Sequence, residues 1–222
     1  MMKITAFDGS PRRNGNSSML LKACIDGAES AGGEAVVYKT EKLEMKACRG
    51  CLMCNTIKRC AMRDDCWSEI AERILESDLL IFSTPIYFHH ASSSMKKMLD
   101  KFRSFVKVRI TEDGIVHLPH TDWDKDWILL TAHGSSDVSD AEDLNKLFTF
   151  ICETMGDRNR LNIINATRLA VSGQIGFDEQ RLSSLYRKLE LPENLAAADA
   201  EKNKKWLEEA YQLGRSAVEK RR

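Results

Sequence analysis

The most informative stretch of this chain is residues 9–18, Gly-Ser-Pro-Arg-Arg-Asn-Gly-Asn-Ser-Ser. A short apolar run at residues 4–7 comes directly before them, and an amphipathic segment begins directly after them at Met19. This order predicts a β-strand, a loop of small polar residues and an α-helix. The loop N–H groups and the positive end of the helix dipole would together form a cradle for a phosphate group.

The side chains of this loop suit the same purpose. Hydroxyl, amide and guanidinium groups come from Ser10, Arg12, Arg13, Asn14, Asn16, Ser17 and Ser18. The loop lacks the Lys of the G-x-x-x-x-G-K-[ST] motif, and it is not a G-x-G-x-x-G sequence. A flat aromatic cofactor with one phosphate, such as FMN, therefore fits best. The alternative is an ordinary strand–helix turn with a helix N-cap.

Composition indicates a globular protein of the α/β class. The 222 residues suit one domain with a sizeable core, and 33 basic residues balance 33 acidic ones. This balance gives no sign of binding to nucleic acid or to a membrane surface. The apolar runs are too short to cross a bilayer, and the N-terminus enters a strand at once. We therefore expect a cytoplasmic protein and a single domain over residues 1–222.

Apolar runs alternate with amphipathic segments along the whole chain. Further strands are predicted at residues 34–38, 79–82 and 127–130 and within residues 161–171, and helices between them, with a C-terminal helix over residues 199–221. Such alternation predicts a doubly wound, five-stranded parallel sheet. The loops after Phe7, Phe82 and Leu130 should then meet at one ligand-binding crevice. Cys24 and Cys152 lie on apolar helix faces and are expected to be buried.

Residues 46–66 form a cysteine-rich loop after the second strand. Five of the seven cysteines lie between Cys48 and Cys66, and four of them have the spacing C-x2-C-x2-C-x5-C. Four thiolates beside several Lys and Arg residues suit an iron–sulfur cluster with the ligands Cys48, Cys51, Cys54 and Cys60. Zinc is an alternative, although its sites usually use two separated C-x2-C pairs. A loop without metal is the third possibility.

Residues 103–126 differ from the rest of the chain. Val106, Val108 and Ile110 alternate with polar residues, and Asp113-Gly114 is a hairpin turn signal. This pattern predicts a small hairpin inserted before the fourth strand of the sheet. Such an insertion could build a subunit contact or a lid.

Motifs from most of the chain point to one family. They are the loop at residues 9–17, the Thr84-Pro85-Ile86-Tyr87-Phe88 segment, the spaced cysteines and Ala210-x3-Gly214. Together they resemble the NADPH-dependent FMN reductase superfamily, and the cysteine spacing resembles its iron-sulfur flavoprotein branch. The resemblance implies a flavodoxin-like fold with sheet order 2-1-3-4-5, bound FMN, and assembly as a homodimer or homotetramer.

The resemblance also implies which residues hold the flavin. The phosphate contacts are expected from Ser10, Arg12, Asn14, Asn16, Ser17 and Ser18. Residues Pro85, Ile86, Tyr87 and Phe88 are expected on one side of the ring, and Gly134 and Ser135 on another. His89 and His133 follow strands and are candidates to hydrogen-bond the ring or relay a proton, although such histidines are often polar lining only.

The predicted function is that of an FMN-dependent oxidoreductase. Electrons would pass between FMN and either a [4Fe-4S] cluster or NAD(P)H, with a ferredoxin-like protein as another possible donor. The acceptor would be a small molecule or a protein, and no side chain is assigned a catalytic role. The alternatives are a NAD(P)H-dependent flavin or quinone reductase without a cluster, an electron carrier that uses no nicotinamide, and a flavin-free binding module.

Overall fold

A computed structural model describes residues 1–221 of the chain. The strands are β1 (Met2–Asp8), β2 (Gly33–Lys39), β3 (Leu79–Tyr87), β4 (His90–Ala91), β5 (Val106–Thr111), β6 (Gly114–Pro119), β7 (Asp126–Ala132) and β8 (Arg160–Ala166). The α-helices are α1 (Asn16–Ser30), α2 (Cys54–Ile57), α3 (Trp67–Glu76), α4 (Ser93–Lys101), α5 (Glu142–Met155), α6 (Glu179–Lys188) and α7 (Ala196–Glu219). Among the helices of residues 1–221, none combines the length and apolar character that a membrane span requires.

The main sheet has the predicted parallel order, β2-β1-β3-β7-β8. This is the order 2-1-3-4-5 of the doubly wound fold, and helices cover both faces. The sheet also contains β4, which pairs antiparallel with the end of β3. β4 was not predicted, because a strand of two residues is too short to show a pattern. The predicted inserted hairpin is confirmed as the separate two-stranded sheet β5-β6.

The last strand of the sheet occupies the first part of the range that was predicted to contain it. We expected a strand within residues 161–171, and β8 ends at Ala166, opposite the last residue of β7, Ala132. Beyond that point no neighbouring strand within residues 1–221 offers a ladder of hydrogen bonds to extend it. The chain turns at Arg168, which has a φ of 56°. Residues 167–171 therefore form a loop at the carboxyl edge of the sheet.

The central strands are buried on both faces. Phe82 and Trp127 pack into the core on one side, and Ile81 and Ile128 pack into the core on the other. This explains why these strands appear in the sequence as continuous apolar runs. Cys24 and Cys152 are both buried, as predicted. Burial raises the pKa of each thiol to about 12, so neither is a reactive group at neutral pH.

Helices α1 and α7 approach each other closely where glycines replace side chains. A Cβ atom added at Gly214 would lie 1.9 Å from the carbonyl oxygen of Cys24 on α1. A Cβ atom added at Gly27 would lie 1.9 Å from the carbonyl oxygen of Tyr211 on α7. Both obstacles are backbone atoms, so a larger residue forces the helices apart.

We therefore expect Gly214→Ala to lower the free energy of unfolding by about 1–3 kcal/mol, as other overpacked cores do. The loss should appear although Ala favours a helix more than Gly does. Urea denaturation is the measurement, with Gln212→Ala at an exposed position of the same helix as the control. A Gly214→Ala protein as stable as the wild type would contradict this account of the contact.

Candidate cofactor sites

The strand ends that were predicted to meet do lie around one cavity, of about 250 Å³. The loops after β1, β7 and β8 contribute to its wall, and so does the end of β3 itself. The lining residues are Ser10, Arg12, Gly15, Asn16, Ser17, Pro85, Ile86, Tyr87, Ala132, His133, Gly134, Leu169 and Ala170. The position at the carboxyl edge of a parallel sheet is where such folds bind their ligands.

One end of the cavity is the N-terminus of α1. The hydrogen-bond ladder of this helix begins with Met19 N donating to Gly15 O at 3.0 Å, so the N–H groups of residues 16–18 lie ahead of it. Gly15 is required here, because a Cβ atom would lie 2.1 Å from Ser10 Oγ. Ser17 is 1% exposed, and its Oγ has no hydrogen-bond partner among residues 1–221. An anion at this helix end would satisfy these donors.

Asn16 connects this helix end to the loop after β8. Its Nδ2 donates to Val171 O at 2.9 Å and to Leu169 O at 3.3 Å, and its Oδ1 accepts from Ile175 N at 3.1 Å. The predicted role of Asn16 as a phosphate contact remains a prediction. The structure gives this side chain a clear second role, which is to fix the wall of the cavity.

The loop after β8 supplies two lining residues that sequence reasoning missed, Leu169 and Ala170. Buried Gln174 holds this loop, because its Oε1 accepts from Ala170 N at 2.9 Å and its Nε2 donates to Arg168 O at 2.7 Å. Arg12 Nη1 also donates to Ala170 O, at 2.9 Å. One signal in the sequence could have identified them: the fifth parallel strand must end at the same edge of the sheet as the others, so the loop after it reaches the same crevice.

Another part of the wall comes from the end of β3. Pro85, Ile86 and Tyr87 line the cavity, and the chain then reverses into β4 through a turn at Phe88 and His89. Both turn residues have a positive φ, of 48° and 63°, as the central residues of a type I′ hairpin do. Such a backbone is costly for residues other than glycine and is characteristic of functional sites.

His133 completes the cavity at the end of β7. The residue is buried, and its Nε2 lies 3.1 Å from Asp137 O. Its Nδ1 is buried without a hydrogen-bond partner in the described part of the chain. The cavity thus holds two unsatisfied polar groups, Ser17 Oγ at the helix end and His133 Nδ1 elsewhere in the wall. A phosphate-bearing flavin fits this combination of a helix N-terminus, a polar group and an apolar slot.

Five predicted flavin contacts are not part of this cavity wall, namely Asn14, Ser18, Phe88, His89 and Ser135. The Ser18 hydroxyl donates to the Asp8 carboxylate at 2.9 Å, and Ser135 Oγ accepts from the backbone N–H of Asp137 at 3.0 Å. Phe88 is fully exposed at the turn, and His89 lies 3.9 Å from Asp140. The assignment of these five residues as flavin contacts stays a prediction.

The four predicted metal ligands line a second, smaller cavity of about 30 Å³. Cys48, Cys51, Cys54 and Cys60 share it with Lys101 and Arg103, which belong to the end of α4 and the turn after it. Within residues 1–221, no three His, Cys, Asp or Glu side chains lie close enough to hold a metal ion. The donor set and the adjacent positive charge nevertheless suit a cluster with a thiolate at each iron.

A buried ion pair joins the cysteine-rich loop to the main fold. Asp65 and Lys101 form it, and each side chain is 1% exposed. Asp65 also accepts hydrogen bonds from Lys46 N at 3.0 Å and Trp67 N at 3.2 Å. Burial opposes ionisation of Asp65, but the hydrogen bonds from Lys101 and these backbone groups hold its pKa below the ordinary value.

The sheet order and the cavity at its carboxyl edge define the flavodoxin-like class of α/β protein. The chain belongs to the NADPH-dependent FMN reductase family, whose model matches residues 2–136. This confirms the family resemblance that the motifs indicated.

Relatives of known sequence include two archaeal iron-sulfur flavoproteins. The protein of Methanocaldococcus jannaschii is 31% identical over 102 residues, which are 46% of this chain and 52% of the relative. The protein of Archaeoglobus fulgidus is 32% identical over 100 residues, which are 45% of each chain. This chain thus spans about half the length of the curated relatives it matches.

Solved structures of low sequence identity share the fold. A NAD(P)H:quinone oxidoreductase from Methanothermobacter marburgensis superposes with a TM-score of 0.66 at 16% identity, over 97% of this chain and 96% of that chain. An azoreductase from Bacillus anthracis gives 0.60 at 16% identity, over 97% and 100% of the two chains. These similarities confirm the predicted flavodoxin-like fold.

Proposed function

We propose that the protein is an FMN-dependent oxidoreductase. The observation that carries this proposal is the cavity at the carboxyl edge of the sheet, where Ser17 Oγ and His133 Nδ1 are buried without partners among residues 1–221. Buried polar groups of this kind are costly unless a ligand satisfies them. Membership of the NADPH-dependent FMN reductase family supports FMN as that ligand.

In this proposal the phosphate lies at the N-terminus of α1, held by Ser10, Arg12 and Ser17. The ring lies between the Pro85–Tyr87 segment and the segment that contains His133 and Gly134. Bound FMN supplies the hydride and electron chemistry. The side chains of the cavity orient the flavin and exclude water from one side of it, while Asn16 and Gln174 hold the loop after β8 in place.

We further propose that Cys48, Cys51, Cys54 and Cys60 hold a [4Fe-4S] cluster that exchanges single electrons with FMN. Support comes from the shared cavity of these cysteines and from the three cations that line it, Arg49, Lys101 and Arg103. The names of the archaeal relatives, iron-sulfur flavoproteins, agree with this proposal. The electron donor would be NAD(P)H or a ferredoxin-like protein, the acceptor a small molecule or a protein, and the assembly a homodimer or homotetramer.

The second candidate is a NAD(P)H-dependent reductase of small molecules that has no cluster. One observation favours it, which is that the described residues 1–221 bring no three potential ligands together for a metal. The names of proteins with a similar fold, a quinone oxidoreductase and an azoreductase, agree with this candidate. The two candidates differ in the iron content and in the source of electrons.

The absorbance spectrum and the iron and sulfide content of protein purified without oxygen distinguish the two candidates. Flavin bands with additional broad absorbance, about four iron and four sulfide per chain, and loss of the broad absorbance with dithionite are expected for the first candidate. Flavin bands alone would leave the second candidate. Rapid mixing with NADH or NADPH then tests the donor, because only a nicotinamide-dependent enzyme loses its flavin absorbance. Colourless protein that does not bind added FMN would refute both.

A further inference from the structure

We propose that Arg103 is a positioning residue of the four-cysteine site, where its guanidinium donates hydrogen bonds to sulfur and raises the reduction potential of the cluster. This inference rests on the proposed cluster. It assigns a role to a residue that contacts the proposed ligand Cys54 although the two lie 49 positions apart in the sequence. In the sequence, Arg103 stands at the start of the inserted segment and outside the cysteine motif.

The first observation is the contact between Arg103 and Cys54. Arg103 Nη1 lies 3.8 Å from Cys54 Sγ, within hydrogen-bonding distance for sulfur. The same Nη1 donates to Val106 O at 3.1 Å and lies 3.5 Å from Asn55 Oδ1. The guanidinium is therefore held against the turn that carries Cys54 and does not swing freely in solvent.

Asn55 strengthens this anchorage on the side of the cysteine loop. Its Nδ2 donates to Val108 O and its Oδ1 accepts from Val108 N, both at 2.9 Å. The short helix α2 is thereby fixed to strand β5 of the hairpin. Because Arg103 lies just before β5, the hairpin holds the guanidinium and the Cys54 turn at a constant separation.

The second observation is an unused donor. Arg103 Nη2 is buried and has no hydrogen-bond partner within residues 1–221, although Arg103 lines the four-cysteine cavity. A buried guanidinium N–H without an acceptor is costly, and guanidinium groups are rarely left in this state. A sulfur atom of a bound cluster would provide the missing acceptor.

The other cations near the cysteines are either paired with a carboxylate or exposed to solvent. Lys101 lines the same cavity, but its ammonium group is already paired with buried Asp65. Arg49 also lines this cavity, but it is exposed to solvent. The other basic residues of the loop are exposed as well, so salt and water screen their charge; they are Lys46, Lys58, Arg59 and Arg63. Arg103 is thus the partly buried cation in the wall of this cavity that forms no ion pair with a carboxylate among residues 1–221.

The expected effect on the cluster follows from charge. One-electron reduction adds a negative charge to the iron and sulfur atoms, and a fixed cation with N–H donors stabilises that charge. Hydrogen bonds to sulfur and local charge are established determinants of cluster potentials. Removing the guanidinium should therefore make the cluster harder to reduce, while the flavin cavity, which shares no lining residue with the cysteine cavity, is unchanged.

The test compares holoprotein variants in an anaerobic dithionite titration. For Arg103→Gln we expect the reduction equilibrium to shift about tenfold toward the oxidised cluster, which is about 59 mV for one electron. Arg103→Lys keeps the charge but loses the planar fork, so its shift should be smaller. Arg109→Gln removes an exposed cation from the neighbouring strand β5 and should leave the potential as in the wild type.

The possible outcomes separate the two proposals. Wild-type protein without iron and sulfide refutes the cluster and, with it, the role of Arg103. A wild-type cluster whose potential does not change in Arg103→Gln and Arg103→Lys refutes the role of Arg103 alone. If Arg103→Gln loses its cluster, the reduction potential of Arg103→Lys becomes the test. A potential lower than that of the wild type supports the role of Arg103, and an unchanged potential refutes it. FMN content equal to that of the wild type shows that each variant is correctly folded.

Discussion

Ser17→Ala is expected to weaken FMN binding by about 10- to 150-fold. The proposed phosphate contact is a hydrogen bond to a charged group, and such bonds contribute about 1.5–3 kcal/mol. Because Ser17 Oγ has no partner among residues 1–221, its removal costs the flavin-free protein nothing. The free energy of unfolding without flavin should be unchanged or slightly higher.

Fluorescence titration of the flavin-free protein with FMN measures this effect, and urea denaturation measures stability. Ser172→Ala is a matched control, because it removes an exposed hydroxyl that donates to Asn14 O at 2.8 Å outside the cavity wall. Its affinity for FMN should equal that of the wild type. If Ser17→Ala also binds FMN as tightly as the wild type, the phosphate does not lie at this hydroxyl.

Hydropathy patterns predicted the parallel strands of the sheet, while their order followed from the family resemblance. The runs at Leu79–Phe82 and Trp127–Leu130 had to be central strands, because only strands covered on both faces tolerate continuous apolar sequence. The end of β8 was not predictable in this way. Leu169 to Val171 look like a continuation of the strand, but a strand extends only as far as its neighbour, and β7 ends at Ala132. Sequence periodicity contains no information on that limit.

The same limit explains which residues of the candidate sites were missed. Leu169 and Ala170 fell in the range expected to contain the fifth strand, and they were not considered as part of the crevice. Lys101 and Arg103 reach the cysteine loop only through tertiary packing, since nothing local shows where the end of α4 lies. Sequence reasoning identified the local motifs, which are the loop at residues 9–18 and the spaced cysteines. It could not identify partners that only the fold brings to them.

Lys101→Met is expected to lower the free energy of unfolding at neutral pH by about 3–5 kcal/mol, the usual cost of leaving one member of a buried ion pair alone. Asp65 would keep its hydrogen bonds from Lys46 N and Trp67 N but would lose its cation. The control is Lys96→Met on the same helix. Lys96 forms an exposed pair with Asp100 at 2.6 Å, and its loss should cost at most about 0.5 kcal/mol.

The pH dependence gives the Lys101→Met prediction a second, independent test. The pKa of Asp65 is lowered in the folded wild type, so the stabilisation from this carboxylate is present above its unfolded-state pKa and is lost as the pH falls through the folded-state value. In Lys101→Met the burial of Asp65 is no longer offset by the ammonium group, so its pKa rises. The stability deficit should therefore shrink as urea denaturation is repeated at lower pH. In the double variant Lys101→Met/Asp65→Asn, this site should no longer contribute to the pH dependence of stability. A stability deficit of Lys101→Met that stays constant with pH would assign the loss to packing instead of charge.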